Sequence, residues 1–153
     1  MVATAALLAA CGSSEQPPAA SPSPSLSAPA SASASAPATP PLTFSMKDVT
    51  GGKATGKILL TKGTGFFVVE LQITGLETSS SHVSHIHVGS CQNPGGIKFA
   101  LSQVIADGTG AADTRTQIPT SFPPAGTRWY VVVHAGGTMQ GSSASYLLCG
   151  NLF

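Results

Sequence analysis

Three of the chain's four histidines and one of its three cysteines fall in the ten residues "HVSHIHVGSC", 82 to 91. In a strand, side chains two apart share a face, so His85 and His87 project together while Ile86 turns to the other side. Two imidazoles placed this way can grip one metal ion. His134 ends "WYVVVHA", a second strand-like run, and can deliver a third nitrogen across the wall of a β-barrel. Imidazole suits zinc, copper, iron and nickel, and three nitrogens in a flat or T-shaped array with no thiolate favour copper. His82 is three residues from His85 and lies on the opposite face of an ideal strand. It is expected to support the ligands rather than join them, unless the strand is bulged. The competing reading of an H-x-H motif alone is a pair of ordinary exposed strand histidines.

The elements that must position these residues are β throughout. "LTFSMKD" (42 to 48), "ATGKILLTK" (54 to 62), "GFFVVELQITGL" (65 to 76), "HVSHIHVGS" (82 to 90), "IKFALSQVIAD" (97 to 107), "AADTRTQI" (111 to 118), "TRWYVVVHA" (127 to 135) and "SYLLCGNLF" (145 to 153) are short runs rich in β-branched and aromatic residues. Turn signals separate them: Gly51-Gly52, Lys62-Gly63-Thr64-Gly65, Asp107-Gly108-Thr109-Gly110, Pro123-Pro124-Ala125-Gly126 and Gly136-Gly137. No helical period interrupts the series. About eight strands at this spacing predict an all-β fold, an antiparallel Greek-key sandwich or barrel.

Composition narrows the function. Only 8% of residues are charged and the net charge is +1, so no basic stripe argues for nucleic acid. Asp48, Glu70, Glu77, Asp107 and Asp113 are scattered over strand edges and turns and form no catalytic pair. No serine or cysteine nucleophile has a histidine to spare. Any reaction here must be run by a bound metal. Residues 42 to 153 have the size of one domain with its own core. Residues 12 to 41 are almost entirely Ser, Ala and Pro, with Glu15 the one charge, and read as a disordered linker. No run in the domain approaches the roughly 20 apolar residues that span a bilayer.

Ahead of the linker, "MVATAALLAACGSS" carries small residues just before Cys11 and resembles the lipobox of bacterial lipoproteins. That resemblance implies cleavage before Cys11, lipidation of its thiol, and a domain held to the membrane outside the cytoplasm. The run is short and lacks a basic n-region, as a signal peptide truncated at its start would. A buried N-terminal helix is the weaker alternative. Setting Cys11 aside leaves Cys91 and Cys149, an even pair in an oxidising compartment, which predicts a disulfide. Two buried free thiols are the alternative.

"GLETSSSHVSHIHVGSC", followed by "VVVHAGG" and "LLCGNLF", resembles the copper/zinc superoxide dismutase family. The likeness extends through "GKILLTKGTGFFVVELQITGL" and "LSQVIADGTGAADTRTQI", nearly the whole domain. It implies a Greek-key sandwich, copper held by His85, His87 and His134, His82 as a nearby structural histidine, and a Cys91–Cys149 disulfide. The departures are as specific. Between Cys91 and the next run stands only "QNPGGIKF", with no histidine or acid, where the family carries its zinc ligands and the histidine bridging both metals; zinc is therefore not expected. Tyr146 stands in place of the arginine that guides superoxide, and Thr138 in place of an aspartate joining the two metal shells. In the short segment after His134, Met139 is the one soft donor and a candidate extra copper ligand. The expectation is a zinc-less, slow superoxide dismutase-like lipoprotein. Two alternatives stand beside it. One is a copper-binding or copper-carrying protein without turnover; the other is a structural or adhesion module, since the H-I-H run also resembles CHRD domains.

Overall fold

The computed structural model describes residues 40–122 and 126–153. The leader, Cys11, the linker up to residue 39 and the Pro123-Pro124-Ala125 turn lie outside the described residues. Among the described residues ten strands follow in chain order: β1 (Leu42–Asp48), β2 (Thr55–Lys62), β3 (Phe67–Thr74), β4 (Ser81–His82), β5 (Ser84–Ser90), β6 (Asn93–Ala100), β7 (Val104–Ile105), β8 (Ala112–Ile118), β9 (Trp129–His134) and β10 (Tyr146–Asn151). One 3-10 turn, Gly141–Ala144, precedes β10. Among the described residues no helix is long and apolar enough to cross a membrane.

Alternation of apolar and polar residues drives the first three strands to pair. Ile58 and Leu60 of β2 and Phe67, Val69, Leu71 and Ile73 of β3 are buried, while Lys57, Gln72 and Thr74 between them face out. Gly51 and Gly65, with φ of 86° and 76°, supply the left-handed backbone in the two links, a conformation that favours glycine. Eight strands form one antiparallel sheet in the order β6-β5-β9-β10-β1-β2-β3-β8, curled into a half-barrel. In it β8 returns to lie beside β3 and β9 beside β5, long connections of Greek-key type. β4 and β7 pair separately, with His82 opposite Val104.

The sheet's two edges are joined by side chains rather than by a ladder. Ser102, just beyond β6, receives a bond from Ser84 Oγ at its carbonyl (2.9 Å) and donates its Oγ–H to the Arg115 carbonyl of β8 (3.0 Å). Its N–H donates to Thr116 Oγ1 (2.8 Å). The core inside the curl gathers Met46, Ile58, Leu60, Phe67, Leu71, Ile86, Trp129, Val131, Val133 and Leu148.

β9 is buried along its whole length. Trp129, Val131 and Val133 enter the core, while Tyr130 and Val132 pack on the other face with Cys149, Cys91 and Tyr146. That second, outer cluster makes a dry floor for whatever stands on it. The predicted disulfide is present: Cys91 and Cys149 are bonded, their Cα atoms 6.0 Å apart, tying the β5–β6 link to β10. Asn151 reinforces the tie, accepting the Cys91 N–H at 2.8 Å.

Two sequence expectations are corrected by the ladder. The run 97 to 107 is not one strand; β6 begins at Asn93 and ends at Ala100, and β7 is a separate pair of residues. Pro94-Gly95-Gly96 has turn chemistry, yet it pairs with β5 through irregularities at Ile86/His87 and His87/Gly89. Those irregularities absorb a proline that cannot donate to a regular ladder. Likewise 82 to 90 is broken at Val83, whose N–H turns to the Gly136 carbonyl (3.0 Å), so His82 and His85 belong to different strands.

Candidate metal centre

Period-two geometry places His85 and His87 on the outer face of β5, with Ile86 between them fully buried in the core. That buried side chain fixes which way the histidine pair points. His134 arrives from β9, the strand hydrogen-bonded to β5, where Ser84 pairs with Val133 and His85 with Val132. The third imidazole therefore comes from the adjacent strand on the same outer face, not from across the barrel wall. The three residues bring ligand atoms that lie within 4.8 Å of one another.

Hydrogen bonds fix which nitrogen of each ring is available. His134 donates its Nδ1–H to the Ala144 carbonyl (2.6 Å), leaving Nε2 with a lone pair. His87 donates its Nδ1–H to the Gly95 carbonyl (3.0 Å), which leaves its Nε2 bare too. That Nε2 is buried and has no partner. A buried acceptor without a bond is costly, and a cation is the group that would satisfy it. His85 Nδ1 lies 3.2 Å from His134 Nε2, and because the latter is an acceptor, His85 supplies the proton between them.

Electrostatics favour neutral rings at His85 and His134. Burial, then positive charge on His134 and on His87, holds the His85 pKa below the usual imidazole range. Burial lowers that of His134 as well, against the opposing pull of the Ala144 carbonyl and with a smaller push from His87. A neutral imidazole is the form that ligates. The set can hold one metal ion; three nitrogens with no thiolate or carboxylate suit a borderline first-row metal.

His82 stands behind this set. It is 4% exposed, its Nδ1–H donates to the backbone carbonyl of His134 (2.9 Å), and its Nε2 lies 2.8 Å from Ser80 Oγ. Thr138 and Met139 lie in an exposed run of bends after β9, Met139 with 43% of its surface accessible.

Two tyrosines complete the surroundings. Tyr146 packs edge-on against His134 (ring centroids 5.4 Å) and His87 (5.7 Å). Tyr130, fully buried, lies against the His87 ring at 5.1 Å with an interplanar angle of 34°. In the sequence Tyr146 stands out only as a replacement for arginine, and Tyr130 does not stand out. The signal was present: Tyr130 stands four residues before His134 in a strand and so shares its face.

Comparison with protein-family models finds none that matches this chain, and comparison with curated proteins finds no matching relative.

Proposed function

We propose that the domain binds one copper ion through His85, His87 and His134, and that it is an extracytoplasmic, lipid-anchored, superoxide dismutase-like protein with slow turnover. The observation that carries this reading is the convergence of three imidazole nitrogens, with the far nitrogens of His87 and His134 already committed to Gly95 and Ala144. Copper, when bound, supplies a centre that alternates between two oxidation states and so can take an electron from one superoxide and give it to another.

The chain's residues supply the rest. His87 Nε2 and His134 Nε2 are lone-pair donors held in place by carbonyl bonds. His85 can join them when its Nδ1 proton is replaced and the ring carries its proton on Nε2 instead. Its half-buried position leaves an approach from solvent. The Tyr130, Val132 and Cys149 cluster keeps water from the floor. No histidine or carboxylate stands between Cys91 and Ile97 to hold zinc, which is why a second ion is not expected. Tyr146 is neutral where the resembling family has a cation, so steering of an anion is weak. The disulfide favours an oxidising compartment, in keeping with lipidation at Cys11.

The test is metal analysis of the domain recovered from the cell envelope, with a superoxide assay on the same sample. About one copper per chain with slow dismutation supports the reading. Copper without turnover points to carriage instead, and recovery with no copper, even after copper is offered, overturns it.

A further inference from the structure

The hydroxyls of Tyr130 and Tyr146 lie 3.0 Å apart, and nothing in the copper reading uses them. The Tyr130 Oη also accepts the N–H of Gly95 (3.2 Å) and lies 3.4 Å from the Gly95 carbonyl. That same carbonyl receives the His87 Nδ1–H. One continuous path therefore runs from Tyr146 through Tyr130 to the Gly95 peptide and on to His87. It is built from residues far apart in sequence that the β9–β10, β5–β9 and β5–β6 pairings bring together, His87 lying opposite Tyr130.

We propose that Tyr130 and Tyr146 form a positioning pair that holds the Gly95 peptide, and through it fixes the tautomer and ring orientation of His87. This deepens the copper reading and rests on it for the consequence at the metal, though the network itself does not. The Gly95 peptide needs such a holder. β6 is an exposed edge strand, and its pairing with β5 is irregular at His87 on both sides. The ordinary ladder does not pin this peptide, whereas a buried phenol does. Gly95 must also be glycine here, because a Cβ would run into the Val88 carbonyl. Its backbone can thus come close enough to meet both the tyrosine and the histidine.

Proton counting agrees. Tyr130 Oη takes the Gly95 N–H on one lone pair, donates its own proton to the Gly95 carbonyl, and accepts the Tyr146 O–H on its other lone pair. Burial, with the Tyr146 hydroxyl next in weight, pushes the Tyr130 pKa up to about 12, so the phenol stays protonated through the working pH range. The ring itself lies against His87 and blocks rotation on that side. Neither tyrosine needs to touch a metal ion to act. Partners that orient a ligating histidine typically change metal affinity by about 10–100-fold when removed.

The experiment uses Tyr130→Phe and Tyr146→Phe, which keep both rings and remove one hydroxyl each. In the metal-free domain, nitrogen-15 NMR of the imidazoles reads His87 directly. The wild type should show one tautomer, protonated at Nδ1, with slow exchange of that proton. Tyr130→Phe should give a mixture of tautomers with faster exchange, and Tyr146→Phe a smaller change in the same direction. Copper titration should show about a tenfold or greater loss for Tyr130→Phe and a changed Cu(II) EPR spectrum. An unchanged, single His87 tautomer in both variants would overturn the proposal. If Tyr130→Phe does not fold, Tyr146→Phe alone decides on the same signal. Should the wild type bind no copper while the His87 proton still loosens in the variants, the positioning pair stands and only the copper reading falls.

Discussion

His82 donates its Nδ1–H to the backbone carbonyl of His134 across 52 positions of sequence, at 2.9 Å and out of contact with water. The bond ties β4 to the last residue of β9, at the peptide that carries the third candidate ligand. His82 is thus a support for His134 and not a fourth nitrogen in the set. His82→Ala should weaken copper binding by about 10–100-fold while leaving the stoichiometry at one. A copper titration that drops the stoichiometry to zero would instead make His82 a ligand.

The three candidate ligands should behave as a unit. His85→Ala, His87→Ala and His134→Ala should each weaken copper far more than substitution of any surface residue, and the triple variant should lose the site. Isothermal titration of the metal-free variants measures this directly. Affinity unchanged in the triple variant would make the cluster structural.

Removing the disulfide tests the frame independently of any metal. Cys91→Ser with Cys149→Ser should lower the unfolding free energy by about 2–4 kcal/mol, because the bridge restrains a long loop of the unfolded chain. Urea denaturation of the double variant supplies the number, and a midpoint equal to wild type would contradict it.

Acid should destabilise the metal-free domain. The folded chain holds His85 and His134 below their usual pKa, chiefly by burial, so the unfolded chain binds protons first as the pH falls below about 6.5. Stability then declines through the window between the unfolded and the lower folded values. Denaturation midpoints taken at about pH 7.5 and about pH 5 should fall towards acid in wild type. The decline should be smaller in a His85→Gln, His134→Gln variant, and equal slopes would remove these two rings as its cause.

The copper-loaded domain should dismutate superoxide well below the diffusion limit, with a rate that changes little with added salt. Pulse radiolysis over a range of ionic strength gives both quantities. A near diffusion-limited rate falling steeply with salt would mean that exposed cations such as Lys98, Arg115 or Arg128 guide the anion after all.

Much of this arrangement was legible in the residues themselves. β1 runs over the span that its alternation indicates, and Ile86 turns inward as the period of two requires. The all-β class followed from turn residues recurring between short branched runs. What stayed hidden depends on pairing between distant segments. Pro94-Gly95-Gly96 carries local turn chemistry, and only the neighbouring β5 recruits it into an edge strand. The carbonyls of Gly95 and Ala144 that set the histidine tautomers have no side-chain signature at all. The Tyr130–Tyr146 bond needs the β9–β10 register, whose shift between Tyr146 and Leu148 no periodicity foretells.

The exposed strand β6 has a consequence for how copies of the domain meet at high local density. A long, regular border would offer a row of free peptide groups on which a second copy could polymerise. This border is spoiled for that purpose: Pro94 brings no N–H, two successive glycines follow, and Lys98 is exposed, its ammonium 5.8 Å from the Phe99 ring. The features that let Gly95 reach His87 thus also make the strand a poor template for amyloid-like stacking. The irregularity that shapes the site also removes β6 as a regular border on which another strand could pair.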